Sequence, residues 1–246
     1  MNPALPEPLG GGEPDDAAGP AQQGGPSLAE DLLLLLFQPE SGTIAGENTL
    51  FYTLAGAVLS DLALAGRLTY DGTHASAARA EALGELPPSD EIHRSALTYV
   101  AEKPRSVQTV LAAIGPRLRA PLLDRLIARG DIKQVRRKAL GLFNTTALVE
   151  GATGRRPALL ESVRAVLVDG GEPSARVGAL AALLSASGTL PQFDPQIPWT
   201  SPVITRAKQL EQGDWGAGAA AEAVTRTMTA VIVNTIVATT TQSPSQ

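Results

Sequence analysis

The stretch Ser27-Leu-Ala-Glu-Asp-Leu-Leu-Leu-Leu-Leu-Phe37 decides the fold. Ser27 and Glu30 stand three residues apart, the spacing of a capping box, in which the hydroxyl and the carboxylate each accept a hydrogen bond from the other residue's backbone N–H. Behind the cap, residues 32–37 are apolar without interruption. A helix with no polar face has to be surrounded by protein, so this segment predicts a short buried helix starting at Ser27.

The flanking sequence supplies elements to surround it. Pro39, Gly42 and Gly46 mark a loop; residues 47–65 then repeat apolar side chains at Leu50, Leu54, Val58 and Leu62, one face of a helix, with Gly66 suited to its C-terminal cap. Residues 67–70 followed by Asp71-Gly72 predict a brief strand and turn, with a partner strand at 80–83. Further helices are expected at 90–101 and 106–114, separated by Pro104, and then after Pro121, which suits a first helical residue. That third helix buries Leu122, Leu126 and Ile127 and ends at Gly130. Residues 131–144 are basic in their first half and apolar at 140–143, the pattern of a β-hairpin or wing. Helices at 157–168, 175–185 and 202–212 follow, the last with Ser201 as N-cap and Pro202 in the first turn, and an Ala- and Val-rich helix at 219–239 closes the series. The fold class expected is mainly α: a single compact helical domain over 27–240 with a protruding β-hairpin, between a disordered tail at 1–26 and a frayed tail at 241–246.

Composition narrows the function. Apolar residues make up 43% of the 246 and aromatics only 4%, so the core is built from Leu, Val and Ala in close-packed helices. The chain has no cysteine, which removes disulfides, thiolate metal sites and cysteine nucleophiles. Residues 1–26 carry no Lys or Arg and no apolar core segment, unlike a secretory signal. The apolar stretch at 228–238 is interrupted by Thr229, Asn234 and Thr235 and is shorter than the roughly 20 residues a membrane span needs. A cytoplasmic protein is expected, attached to the membrane face only peripherally. Of the two histidines, His74 falls in a turn and His93 on a helix face read as exposed. No nucleophile elbow, phosphate loop, zinc-binding His pair or dinucleotide fingerprint is present. Gly151-Ala-Thr-Gly-Arg-Arg156 lacks the Lys-Ser/Thr of a phosphate loop and reads as a basic linker. No enzyme activity, cofactor or metal is expected.

Charge is unevenly spread. The chain's net charge is −5, yet residues 103–156 hold twelve of the twenty basic residues against only Asp124, Asp131 and Glu150, a segment of +9 in a remainder of −14. Lys133, Arg136, Arg137 and Lys138 put four positive charges into six residues of the expected hairpin. Such density is best relieved by an anionic surface. Leu140, Leu142 and Phe143 beside them suit the core, a partner subunit or the lipid boundary. Arg117 and Arg119 flank the start of the Pro121 helix, where free backbone N–H groups also favour an anion.

Several segments, in order along the chain, resemble the Golgi phosphoprotein 3 family: Leu28-Ala-Glu-Asp-Leu-Leu-Leu-Leu-Leu36, Leu54-Ala-Gly-Ala-Val-Leu-Ser-Asp-Leu-Ala-Leu-Ala-Gly-Arg-Leu68, Pro88-Ser-Asp-Glu-Ile-His-Arg-Ser-Ala-Leu97, Leu126-Ile-Ala-Arg-Gly-Asp-Ile132 and Leu140-Gly-Leu-Phe143. The resemblance spans about residues 27–240. It implies a helical domain with a protruding hairpin, no catalysis, and recognition of phosphatidylinositol 4-phosphate by a basic pocket. It also implies a membrane-protein client and self-association through the hairpin. Of the family's pocket positions, the tryptophan falls on Gly46, the helix arginine on Ala55 and the first paired basic residue on Pro116; only Arg119 is matched. The Ala-, Gly- and Arg-rich composition resembles the actinobacterial branch, for which a bacterial acidic lipid is the expected ligand.

Three functions follow as expectations. The first is a peripheral membrane protein binding anionic phospholipid through Arg117, Arg119, Lys133, Arg136, Arg137 and Lys138. The second is a nucleic-acid binder using the hairpin as the wing of a winged helix. The third is an oligomeric interaction scaffold without a ligand, assembled through Leu140, Leu142 and Phe143.

Overall fold

In the computed structural model, residues 25–71, 74–77, 90–139, 143–213, 226–227, 229–234 and 237 are described, with backbone alone at 137–139 and 143–145. The capping box forms as its spacing requires: Ser27 Oγ accepts from the Glu30 N–H at 3.1 Å, and Glu30 Oε2 accepts from the Ser27 N–H at 2.8 Å. Helix α1 (Leu28–Leu36) follows, and every one of its residues is buried. It is the axis of the domain, touching α2 (Leu50–Leu64), α5 (Arg119–Arg129), α6 (Arg155–Leu167) and α7 (Ala175–Ala186).

The four-residue beat of α2 is the core face expected: Leu50, Leu54, Val58 and Leu62 are all buried. Gly66 adopts a left-handed φ of +69° and closes the helix, its N–H donating to the Ala63 carbonyl while the Arg67 N–H reaches Leu62. The loop marked by Pro39 and Gly42 holds a small antiparallel ribbon, β1 (Phe37–Gln38) with β2 (Thr43–Ile44).

Strand β3 (Leu68–Tyr70) pairs with β4 (His74–Ala77); the partner strand expected at 80–83 lies outside the described residues. The Asp71 N–H donates to the His74 carbonyl at 3.3 Å, and β4 lies beside β3 in register from Leu68↔Ala77 to Tyr70↔Ala75. Its other edge pairs with β5 (Arg105–Ser106). Helices α3 (Glu91–Ala101) and α4 (Val107–Ile114) begin at the side-chain caps of Asp90 and Ser106.

A 3-10 turn, Gly115–Arg117, runs directly into α5, which therefore starts at Arg119, two residues before Pro121. Proline is tolerated there because the first-turn N–H groups have no intrahelical acceptor. The turn lies against α2: a Cβ on Gly115 would come within 2.4 Å of the Phe51 carbonyl oxygen. Gly130, at φ +81°, ends α5 as expected.

Next comes the hairpin, β6 (Ile132–Ala139) with β7 (Phe143–Glu150), in register from Ile132↔Glu150 to Ala139↔Phe143. It is longer than the 131–144 expected, because Thr145, Thr146 and Val149, all good strand formers, continue the second strand. Helix α8 (Ser201–Glu211) has Thr200 and not Ser201 as its N-cap, without a side-chain cap bond. Of the expected last helix, residues 226–227, 229–234 and 237 are described and helical; Ile232 is buried and Thr229 Oγ1 donates to the Glu211 carbonyl at 2.9 Å. The tails 1–24 and 241–246 lie outside the described residues.

Candidate functional site

The basic segment 103–156 is less cationic in space than along the chain. Arg105 pairs with Glu102, Arg119 with Glu47, Arg125 with Asp90, Arg129 with Glu30, and Arg155 with both Asp31 and Asp131. All of these acids except Asp131 come from outside the segment. Much of the apparent surplus of +9 is thus neutralised within the domain. Lys103, Arg117, Lys133 and Arg136 remain exposed without an ion pair among the described residues.

The paired charges converge on the first turn of α1. Glu30 and Asp31, nearly inaccessible, meet Arg129 at 2.9 Å and Arg176 at 2.5 Å respectively, and Asp31 also receives Arg155. Arg155 reaches on to Asp131 at 2.5 Å, and Thr153 Oγ1 donates to the same carboxylate at 2.6 Å. Arg176 extends to Asp61 on α2 at 3.3 Å and to the Pro26 carbonyl at 2.7 Å. Asp61 in turn accepts the Leu28 N–H at 2.6 Å and pairs with His93. Five carboxylates and five cations, counting protonated His93, tie α1, α2, α3, α5, α6 and α7 together.

Two expectations are corrected by this network. Residues 151–156 are not a basic linker: Gly154, at φ +71°, is the N-cap of α6, Arg155 bridges two carboxylates, and Arg156 Nε donates to the Phe37 carbonyl at 3.1 Å. Burial lowers the pKa of Arg156, with the Glu150 charge partly opposing it. His93 is not surface decoration either; its ring is 12% exposed, with Nε2 3.2 Å from Asp61 and Nδ1 3.3 Å from Asp90.

Burial alone would depress the His93 pKa, but the two carboxylates outweigh it and raise the value to about 9. Asp90 is likewise opposed by burial, yet hydrogen bonds from His93 and Arg125 hold it well below the usual carboxylate range. Since the folded pKa of His93 exceeds its unfolded value of about 6.5, its contribution is complete below that pH and fades as pH rises through 9. The wild-type protein is expected to lose about 3 kcal/mol from this group across that window. His93→Gln should flatten that slope in urea unfolding from pH 6 to 10; an unchanged slope would refute the assignment.

The residues read as an anion-binding face occupy two places. Arg117 lies in the 3-10 turn and Arg119 begins α5; the hairpin leaves from the other end of the same helix. An eleven-residue helix separates the two groups by roughly 15 Å at 1.5 Å per residue. On β6, Lys133 stands opposite Val149 and Arg136 opposite Thr146, and strand alternation puts the two basic residues on opposite faces of the ribbon. Arg137 and Lys138 hold register positions opposite Thr145 and Asn144, and their side chains lie outside the described residues. So does the side chain of Phe143 at the start of β7, and so do Leu140 and Leu142 entirely, in the connection between the strands.

The pocket positions suggested by resemblance do not gather cations. Ala55 is fully buried in α2, Pro116 carries no charge, and Gly46 sits at φ +68° where a Cβ would meet the Thr189 methyl at 3.0 Å. Arg119 Nε is 2.7 Å from Glu47. Among the described residues no group of carboxylates and histidines could hold a metal ion, and no helix is long and apolar enough to cross a membrane.

A helical domain built around one buried helix and extended by a basic two-stranded ribbon is the class that fold and surface define. The family model described as Golgi phosphoprotein 3 (GPP34) matches residues 28–227, and the chain belongs to that family. No curated protein matches the sequence.

Proposed function

We propose that the protein is a non-enzymatic peripheral membrane protein that binds anionic phospholipid headgroups through the β6–β7 hairpin and the Arg117–Arg119 corner. The observation that carries this reading is selective exposure. Among the described residues Lys133 and Arg136 have no ion pair and lie exposed on the ribbon, whereas Arg125, Arg129 and Arg155 are spent on internal carboxylates. Near an acidic leaflet each basic residue contributes about 1 kcal/mol, attenuated over a Debye length of about 8 Å at physiological salt. Family membership supports a lipid-related role, for which the resemblance implies phosphatidylinositol 4-phosphate; here Gly46, Ala55 and Pro116 offer no charged donor, so any anionic headgroup serves.

Adaptor activity towards a membrane-protein client and self-association through Leu140, Leu142 and Phe143 belong to the same proposal, as does a cytoplasmic location against the membrane face. The inward pairing of Arg125 and Arg129 favours lipid over nucleic acid, because it leaves α5 without the outward basic row a duplex would contact. Flotation with phosphatidylcholine vesicles, with and without phosphatidylglycerol, tests the reading. Binding should require the anionic lipid and weaken with added salt; equal recovery on both vesicles would refute it.

A further inference from the structure

The Arg117–Arg119 corner carries a carboxylate of its own. Glu47, in the loop before α2, holds Arg119 Nε at 2.7 Å, although the two residues are 72 positions apart in sequence. Both side chains are about half exposed, at 46% for Arg119 and 51% for Glu47. The contact is therefore wet and breakable, unlike those of Glu30 or Asp31.

The backbones that present it are fixed. Gly115 seats the 3-10 turn against the Phe51 carbonyl, with no room for even a methyl group. Gly46, immediately before Glu47, is held in the left-handed region beside Thr189, and the Thr49 N–H and hydroxyl both donate to its carbonyl, at 3.0 and 3.3 Å. The contact can therefore be broken by the side chains alone, with both backbones left in place. Arg117, in the same corner, has no acidic partner among the described residues. With Glu47 in place the corner presents one free arginine; with Glu47 displaced it presents two.

We infer that Glu47 is a built-in competitor for Arg119, a counter-ion that an incoming lipid phosphate must displace before the corner binds at full strength. The inference rests on the lipid-binding reading above. It predicts that removing the carboxylate strengthens binding through Arg119 and through no other residue. An exposed ion pair is weak, so the gain is modest: about 2- to 5-fold in vesicle affinity at low salt.

The test is a double-mutant cycle on the full chain, using Glu47→Gln, Arg119→Gln and their combination. The probe is a vesicle of phosphatidylcholine with phosphatidylglycerol, and circular dichroism confirms that each variant is folded. Glu47→Gln should bind more tightly than wild type, and that gain should vanish when Arg119 is already Gln. A gain that persists in the Arg119→Gln background would show a nonspecific effect of net charge and overturn the inference, as would no gain at all. If no variant prefers anionic vesicles, both the inference and the lipid-binding reading fail; binding by wild type with a flat cycle removes the inference alone.

Discussion

Arg155→Ala is expected to cost about 3–5 kcal/mol of folding free energy, the usual result of removing one partner from buried ion pairs. Arg155 is the sole cation on Asp131 among the described residues, and it shares Asp31 with Arg176. The Asp131 side chain is wholly inaccessible and that of Asp31 nearly so. Among the described residues, losing the guanidinium leaves the Asp131 carboxylate with the Thr153 hydroxyl, a single neutral donor against a buried charge. It also separates two structural units, because Asp131 stands at the base of the hairpin and Asp31 in the first turn of the central helix. Arg155→Lys should recover only part of the loss, since one ammonium cannot reproduce a planar fork that spans two carboxylates. Urea unfolding at pH 7 checks both variants. A loss below about 1 kcal/mol for the alanine variant would mean the bridge is solvated and not structural.

Gly151→Ala should be the second severe change, at about 3 kcal/mol. A Cβ there would lie 1.7 Å from the Gly130 carbonyl oxygen and within 3 Å of two further backbone atoms, of Gly130 and Asp131. No rotamer relieves such a clash, because every opposing atom is main chain. The hairpin must instead move away from the end of α5, breaking the bond from the Gly151 N–H to the Asp131 carbonyl, now 2.8 Å. Hydrogen exchange provides the signature: amides of β6 and β7 should exchange faster while those of α1 and α2 keep their relative protection. Uniform acceleration across the domain would show that the hairpin is not a separable unit, and unchanged rates would contradict the contact itself.

What the sequence disclosed was local. Ser27 and Glu30 announce α1 because a capping box acts over three residues, and Leu50 to Leu62 announce α2 because helical period is a short-range property. Gly66 and Gly130 mark helix ends for the same reason. The ion network was hidden because its partners are remote: Arg176 and Asp31 are 145 positions apart, Arg155 and Asp31 124. A count of charge along the chain therefore made 103–156 look like a cationic face, when its arginines are largely matched to acids from elsewhere. The same distance concealed His93, whose partner Asp61 lies 32 residues earlier on another helix. Residues 151–156 looked like a linker because glycine signals flexibility as readily as close packing; Gly151 is there for the backbone it touches. Of the proposed site, the hairpin's existence and its exposed Lys133 and Arg136 were legible, while Glu47 opposite Arg119 was not.

The central claim is that the exposed charges of the hairpin bring the protein to anionic lipid. Charge reversal at Lys133→Glu with Arg136→Glu tests it most directly, because both side chains are exposed and without an ion pair among the described residues, and their replacement leaves the internal network untouched. Flotation at low salt on phosphatidylcholine vesicles containing phosphatidylglycerol should recover the wild-type protein and leave the folded double variant unbound. Equal recovery of the two proteins would contradict the account.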